Sequence, residues 1–196
     1  MTKRHLFLPI LLVVSALAFA ACGGSDSEEA QIEDVIQTAA ANTDPANCEA
    51  LSTLAFMEQT EAEQGQAAVE ACEENAKDGS NNPDAVTVTN VKVDGSTATA
   101  DVAFEGGSFD GQTLTLALVD EDGDWKLDQV EGFAEFDKAR LLAALHDQLV
   151  AEPDPLSESQ AACMVSTLDQ ESDAQIQELL IGGDQAPLVA LFNSCS

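Results

Sequence analysis

From Ile32 the apolar residues fall at Ile32, Val35, Ile36, Ala39 and Ala40, the i, i+3, i+4, i+7, i+8 stripe of an amphipathic helix. Asn42 to Pro45 breaks the pattern. A second helix is expected there, with Asp44 as N-cap and Pro45 at the first helical position, where its missing N–H costs nothing. That helix turns Cys48, Leu51, Leu54 and Ala55 inward, and a third carries Gly65, Ala68, Val69, Cys72 and Ala76 on one face. Both cysteines then point to the core side.

After Asp78-Gly79 and the segment from Ser80 to Asp84 the period changes to two, and strands are expected. Val86 and Val88 alternate, then Val91 and Val93 continue in the opposite phase, which places a bulge near Asn90. Asp94-Gly95 turns the chain into a strand from Thr97 to Phe104, with Ala98, Ala100, Val102 and Phe104 on one face and Thr97, Thr99 and Asp101 on the other. A glycine-rich loop leads to a third strand bearing Leu114, Leu116 and Leu118. Asp122-Gly123 turns into a fourth with Trp125 and Leu127. Four antiparallel strands with one apolar face need a cover, and the preceding helices are available for it.

From Phe133 the spacing reads as helical again, through Phe136, Leu141, Leu142, Leu145 and Leu149, until Glu152-Pro153-Asp154-Pro155 stops it. Ser157 with Gln160, and Ser172 with Gln175, have capping-box spacing and open two further helices. Gly182-Gly183 ends the second of these, and Pro187 opens a last short helix that carries Leu188, Leu191, Phe192 and Cys195 on one face.

The start of the chain reads differently. Lys3 and Arg4 precede an uncharged run of sixteen residues, Leu6 to Ala21, short of the ~20 that a spanning helix needs. It has the form of a secretory signal. Ala20 and Ala21 directly before Cys22, with Gly23, Gly24 and Ser25 after it, resemble the lipobox of bacterial lipoproteins, although Phe19 stands where leucine is usual. The resemblance implies that Cys22 becomes the first residue and receives a diacylglyceryl group. One acyl chain holds a protein only marginally, so the two or three chains such a cysteine carries are what make attachment lasting.

After Cys22 there are five basic and 36 acidic side chains, a charge of −31. Nucleic acid is excluded as a partner, because its binding needs a positive footprint. Tyrosine is absent and tryptophan single, which removes an aromatic sugar-stacking platform. The acidic run to Gln31 reads as a solvated tether.

Setting Cys22 aside leaves Cys48, Cys72, Cys163 and Cys195, an even number in a chain bound for an oxidising compartment, so two disulfides are expected. Of the three pairings, Cys48 with Cys72 and Cys163 with Cys195 is favoured, because each pair falls within one local helical region. A zinc site would show close C-x2-C pairs, and the shortest cysteine spacing here is twenty-four.

The order of elements, with Cys48 and Cys72 in the helices and the strand Trp125-Lys126-Leu127-Asp128 after an acidic turn, resembles the nuclear-transport-factor-2-like domains of small bacterial cell-surface lipoproteins. The resemblance covers about residues 31–136. It implies a cone, helices packed in the concavity of a bent sheet, often with a pocket. The expected layout is a signal peptide over 1–21, a flexible tether over 22–31, an α+β cone over 32–138 and a helical appendage with its own disulfide over 139–196.

Candidate chemistry is sparse. Asp120, Asp122, Asp124 and Glu131 occupy EF-hand positions, but Trp125 stands where the loop needs glycine, so a hairpin is expected and no metal. An isomerase or cyclase would need a base inside the pocket. Asp101 and Asp128 are the strand carboxylates, and the solvated face suits both better. His146 beside Asp147 reads as a surface residue. Neither a nucleophile elbow nor a phosphate-cradling loop is present.

The expectation is a non-catalytic protein without cofactor, anchored by lipid to the outer face of the bacterial cell membrane. Phe104, Leu116 and Trp125 would line a pocket for a small apolar ligand, or the surface would engage an envelope protein; the same three residues equally suit a fully packed core with no cavity. A cyclase- or isomerase-like enzyme and a pure interaction module acting through the acidic surface are the alternatives.

Overall fold

The computed structural model describes residues 25–79, 82–151, 156–182, 190, 191 and 193–195. The signal sequence, Cys22, the Glu152–Pro155 stop, Gly183, Pro187, Leu188 and Phe192 lie outside them. Among the described residues the chain is α+β, with helices α1 (Ser25–Ala40), α2 (Asn47–Leu51), α3 (Leu54–Glu61), α4 (Gln66–Asp78), α5 (Lys138–Ala151), α6 (Glu158–Leu168) and α7 (Asp173–Ile181). Strands β1 (Ala85–Asp94), β2 (Thr97–Glu105), β3 (Thr113–Glu121) and β4 (Asp124–Glu135) form one antiparallel sheet in the order β1-β2-β3-β4.

One face of the sheet is the core. Ala98, Ala100, Val102, Leu114, Leu116, Leu118, Trp125, Leu127 and Val130 are buried together with Ile32 and Ile36 of α1. Each fully buried aliphatic of this size contributes about 1.5–3 kcal/mol. A second cluster joins Cys48 of α2, Met57 of α3 and Ala68, Val69 and Ala76 of α4. The Cys48–Cys72 bridge runs through it, with Cα atoms 6.1 Å apart.

The sheet bends at irregular pairings. In β1 the register shifts between Thr89 and Lys92, and Asn90 has φ +53°, at the place where the two valine phases meet. Against β3, strand β4 shifts register three times. Each bulge increases local twist and bends the strand, so the sheet curves around α1. The β3–β4 connection is a two-residue turn with positive φ at both Asp122 and Gly123, as the favoured hairpin turns require. Asp120 accepts from Gly123 N–H at 2.6 Å, and Glu121 pairs with Lys126 at 3.0 Å. Among the described residues no group of three or more His, Cys, Asp or Glu could hold a metal ion.

Four expectations need correction. Helix α1 begins at Ser25, so residues 25–31, read as tether, are helical; acidic side chains in a first turn suit the positive end of the helix dipole, a contribution that leaves no apolar stripe to read. The helix expected from Pro45 onward is two, because Ser52 and Thr53 leave it to bridge β4. Ser52 pairs in parallel with Leu127, Thr53 N–H donates to Leu127 O at 2.8 Å, and the Thr53 hydroxyl oxygen caps α3 at Phe56 N–H. Leu54, expected inward, is thereby turned out and exposed. Phe133 lies on β4, not in a helix, and pairs with Leu114. Bulges between Leu127, Val130 and Phe133 convert the strand's alternation into steps of three, which imitates helical spacing.

The C-terminal helices have their own core of Leu141, Leu142, Ala161, Met164, Leu168 and Ile176. Both Ser157 and Ser172 form complete capping boxes with Gln160 and Gln175. Cys195 is bridged to Cys163 of α6, with Cα atoms 5.7 Å apart. Lys138 Nζ donates to Asp169 O and Glu171 O at 2.6 and 2.7 Å, a cation at the negative end of α6. Gln59 of α3 ties this unit to the sheet: its amide accepts from Val130 N–H at 2.8 Å and donates to Val130 O at 2.9 Å and Ile181 O at 3.1 Å.

Gln112, fully buried, does the same at the entry to α5. Its Oε1 accepts from Asp137 N–H at 2.8 Å, and its Nε2 donates to Asp137 O at 3.0 Å. Asp137 in turn caps α5 by accepting from Arg140 N–H at 3.1 Å. Gln112→Leu removes the partner of Asp137 N–H, while Asp137 O keeps Leu141 N–H at 3.0 Å, so about 1–2 kcal/mol of stability is lost. Urea unfolding should show a lower midpoint at unchanged slope.

Candidate functional site

The helices do not fill the concavity of the sheet. A cavity of about 340 Å³ lies between α1, the α2–α4 cluster and the strands. Its floor is buried and apolar: Leu114, Leu116, Leu127 and Val130 from the sheet. Ile36 and Ala39 of α1, Phe56 and Met57 of α3, and the Cys48–Cys72 pair form its walls, with Phe104 and Phe109 at one side. The rings of Phe104 and Phe109 stand 5.9 Å apart, and Phe109 meets Phe133 at 6.4 Å. Alternation along β2 and β3 aims these strand residues inward.

The rim is polar. Asn42, Asn47, Asn75, Asn82, Thr60 and Glu61 line it, all partly or fully exposed. Asn47 Nδ2 donates to Asn42 Oδ1 at 3.2 Å, and Asn82 Nδ2 donates to Asn42 O at 2.9 Å, so the α1–α2 turn is tied to the segment before β1. Asn75 Nδ2 donates to Glu61 Oε2 at 2.6 Å. Burial raises the Glu61 carboxyl above its ordinary value of 4.5, with the Asn75 hydrogen bond opposing. Glu61 ends α3, where Ala62 takes a left-handed conformation with φ +55° and turns the chain toward α4.

Two of the three expected lining residues, Phe104 and Leu116, are in the cavity wall. Trp125 is not. It pairs with Asp120 near the β3–β4 turn and is buried in the core at that end of the sheet, beyond Leu127. The carboxylates weighed as bases are elsewhere. Asp101 accepts from Asn90 Nδ2 and the Thr115 hydroxyl, both at 2.8 Å, and these bonds hold its carboxyl below the ordinary 3.8. Asp128 accepts the Thr53 hydroxyl at 2.9 Å and so steadies the α3 cap. His146 bridges Asp147 and Glu158 at 3.5 and 3.3 Å on α5 and α6.

Glu61 and the asparagines were missed from the sequence. Nothing in the spacing of Asn42, Glu61, Asn75 and Asn82 marks them as neighbours; only the folding of α1, α3 and α4 around one opening does so. A second cavity, of about 430 Å³, lies among Leu141, Leu142, Leu145, Met164, Leu168 and Ile176 in the C-terminal helices. No helix among the described residues is long and apolar enough to cross a membrane.

Residues 26–132 match the family model of the low molecular weight antigen MTB12, C-terminal domain. The chain belongs to that family. The match spans α1 to β4, the helices and sheet that enclose the cavity, and leaves α5–α7 outside it. Membership in this antigen family implies an extracellular or cell-surface protein, and two disulfides suit such a compartment. A solved structure of a de novo designed protein with a curved β-sheet is similar over 53% of this chain and 94% of its own, at 14% identity and a TM-score of 0.32, too weak a likeness to place the fold. No curated protein matches the chain.

The pKa directions give a stability test. Glu61 holds its proton more tightly folded than unfolded, so its contribution is full below 4.5 and is lost as pH rises through its raised folded value. Asp101 has the opposite sign: its contribution is present above 3.8 and lost as pH falls through its lowered folded value. Thermal midpoints of Glu61→Gln relative to the parent should therefore improve from about pH 4 to pH 7, while those of Asp101→Asn should worsen from about pH 2 to pH 5.

Proposed function

We propose that the chain is a non-catalytic lipoprotein held at the outer face of the bacterial cell membrane through Cys22. In this reading the helices and curved sheet form a nuclear-transport-factor-2-like cone whose cavity binds a small, mainly apolar ligand. The observation that carries it is the cavity's division into a buried floor of Leu114, Leu116, Leu127 and Val130 and a polar rim. Apolar lining with a few convergent polar groups is how small-molecule sites are built. The antigen family and the lipobox-like Ala20-Ala21-Cys22 support the location.

Glu61 favours a second reading, a cyclase- or isomerase-like enzyme with this carboxylate as base and a rim amide steadying the developing charge. Against it, the rim amides that would steady that charge donate within the rim, Asn47 and Asn82 to Asn42 and Asn75 to Glu61. Binding is the better fit to groups so engaged.

Ala39 is a partly buried wall residue on α1. Ala39→Trp fills the cavity from its side, and should cut the affinity for octan-1-ol by about ten-fold or more, read by calorimetry on protein whose melting stays cooperative. Equal affinity would overturn the cavity as the site. The anchor is tested separately: palmitate labelling in a bacterial host should disappear in Cys22→Ala.

A further inference from the structure

Resting on that reading, we propose that the cavity selects ligands whose head is a hydrogen-bond donor or a cation, such as an aliphatic amine, and rejects the anionic heads of fatty acids and phospholipids. The rim decides this. Among the described lining residues Glu61 is the only ionisable side chain, and none is Lys, Arg or His. A carboxylate or phosphate head would lie beside Glu61 with no cation to offset it. The surroundings act in the same direction, since five basic side chains stand against 36 acidic ones after Cys22.

None of the five basic side chains is among the described lining residues. Lys126 pairs with Glu121, Lys138 with the end of α6, and Arg140 with Asp110 at 2.8 Å. Lys77 closes the last turn of α4 and Lys92 lies on β1, and neither is in the cavity lining.

Glu61 is suited to the role by what it does with its two oxygens. Asn75 Nδ2 donates to Oε2 and thereby fixes the carboxylate at the rim, where Oε1 can accept from a ligand head. The half-buried position strengthens that interaction relative to one in open water. An ammonium head placed there would compensate the burial that now lifts the Glu61 carboxyl, whereas a second carboxylate would add to it. The apolar tail then runs toward Leu116 and Leu127, away from solvent.

The test uses three probes with one tail: octan-1-amine, octan-1-ol and octanoate, titrated calorimetrically into the mature chain at pH 7 and physiological salt, with the amine also measured by displacement of bound octan-1-ol. The amine should bind about ten-fold or more tighter than octanoate, with octan-1-ol between them. In Glu61→Gln the amine should fall to within about two-fold of octan-1-ol measured on the same variant. Octanoate binding as tightly as the amine would overturn the proposal, as would an amine preference that survives Glu61→Gln or an amine that fails to displace octan-1-ol. Those results would leave the cavity as an apolar site. Absence of binding by all three probes would overturn the selectivity and the ligand-binding reading together.

Discussion

The burial of the sheet's concave face beneath α1 is the constraint on which the rest of the molecule depends. Ile32 and Ile36 close over Ala98, Ala100, Val102 and the leucines of β3, with Val35 and Ala39 of α1 and Phe56 of α3 packed against the same cluster. Helix α1 approaches the outer strands β1 and β4 most closely, and the bulges in those two strands bend the sheet to meet it. One helix cannot fill a curved surface, so α2, α3 and α4 complete the enclosure from the side.

That enclosure is held at its edge by polar contacts. The free edge of β4 is satisfied by groups from outside the sheet: Thr53 N–H donates to Leu127 O, the Gln59 amide pairs with Val130 N–H and O, and the Thr53 hydroxyl donates to the Asp128 carboxylate. An unpaired strand edge is otherwise a template for association, and here it becomes the seat of α3. The Cys48–Cys72 bridge then fixes α2 to α4 across the cavity wall. The cavity is the space left once these contacts are all made, with a floor set by the strands and a rim set by the ends of helices.

The C-terminal helices use the same logic with different parts. Gln112 and Asp137 set where α5 departs, Lys138 joins α5 to the end of α6, and Gln59 reaches Ile181 at the end of α7. This unit lies beyond the residues that match the antigen family, yet it touches the family's sheet through a side chain on α3. Polar side chains on backbone groups define that junction together with Ile181, which packs against the sheet core.

The sequence by itself determined whatever depends on neighbours within a few residues. The valine phase change at Asn90, the Asp122-Gly123 turn, the two capping boxes and the alternation in β2 and β3 were legible, because local backbone preference and the periods of helix and strand fix them. The local logic of the cysteines pointed to the same two pairs that the structure joins. Tertiary structure decided the rest. Thr53 breaks a helix because a strand edge at Leu127 offers it bonds, Phe133 imitates a helical step because bulges shift β4, and Trp125 misses the cavity because the enclosing helices sit further along the sheet. Glu61 meets Asn75 and the rim of the cavity only after α3 and α4 fold back on each other. No spacing along the chain encodes that meeting, since it is set by which surfaces must be buried together.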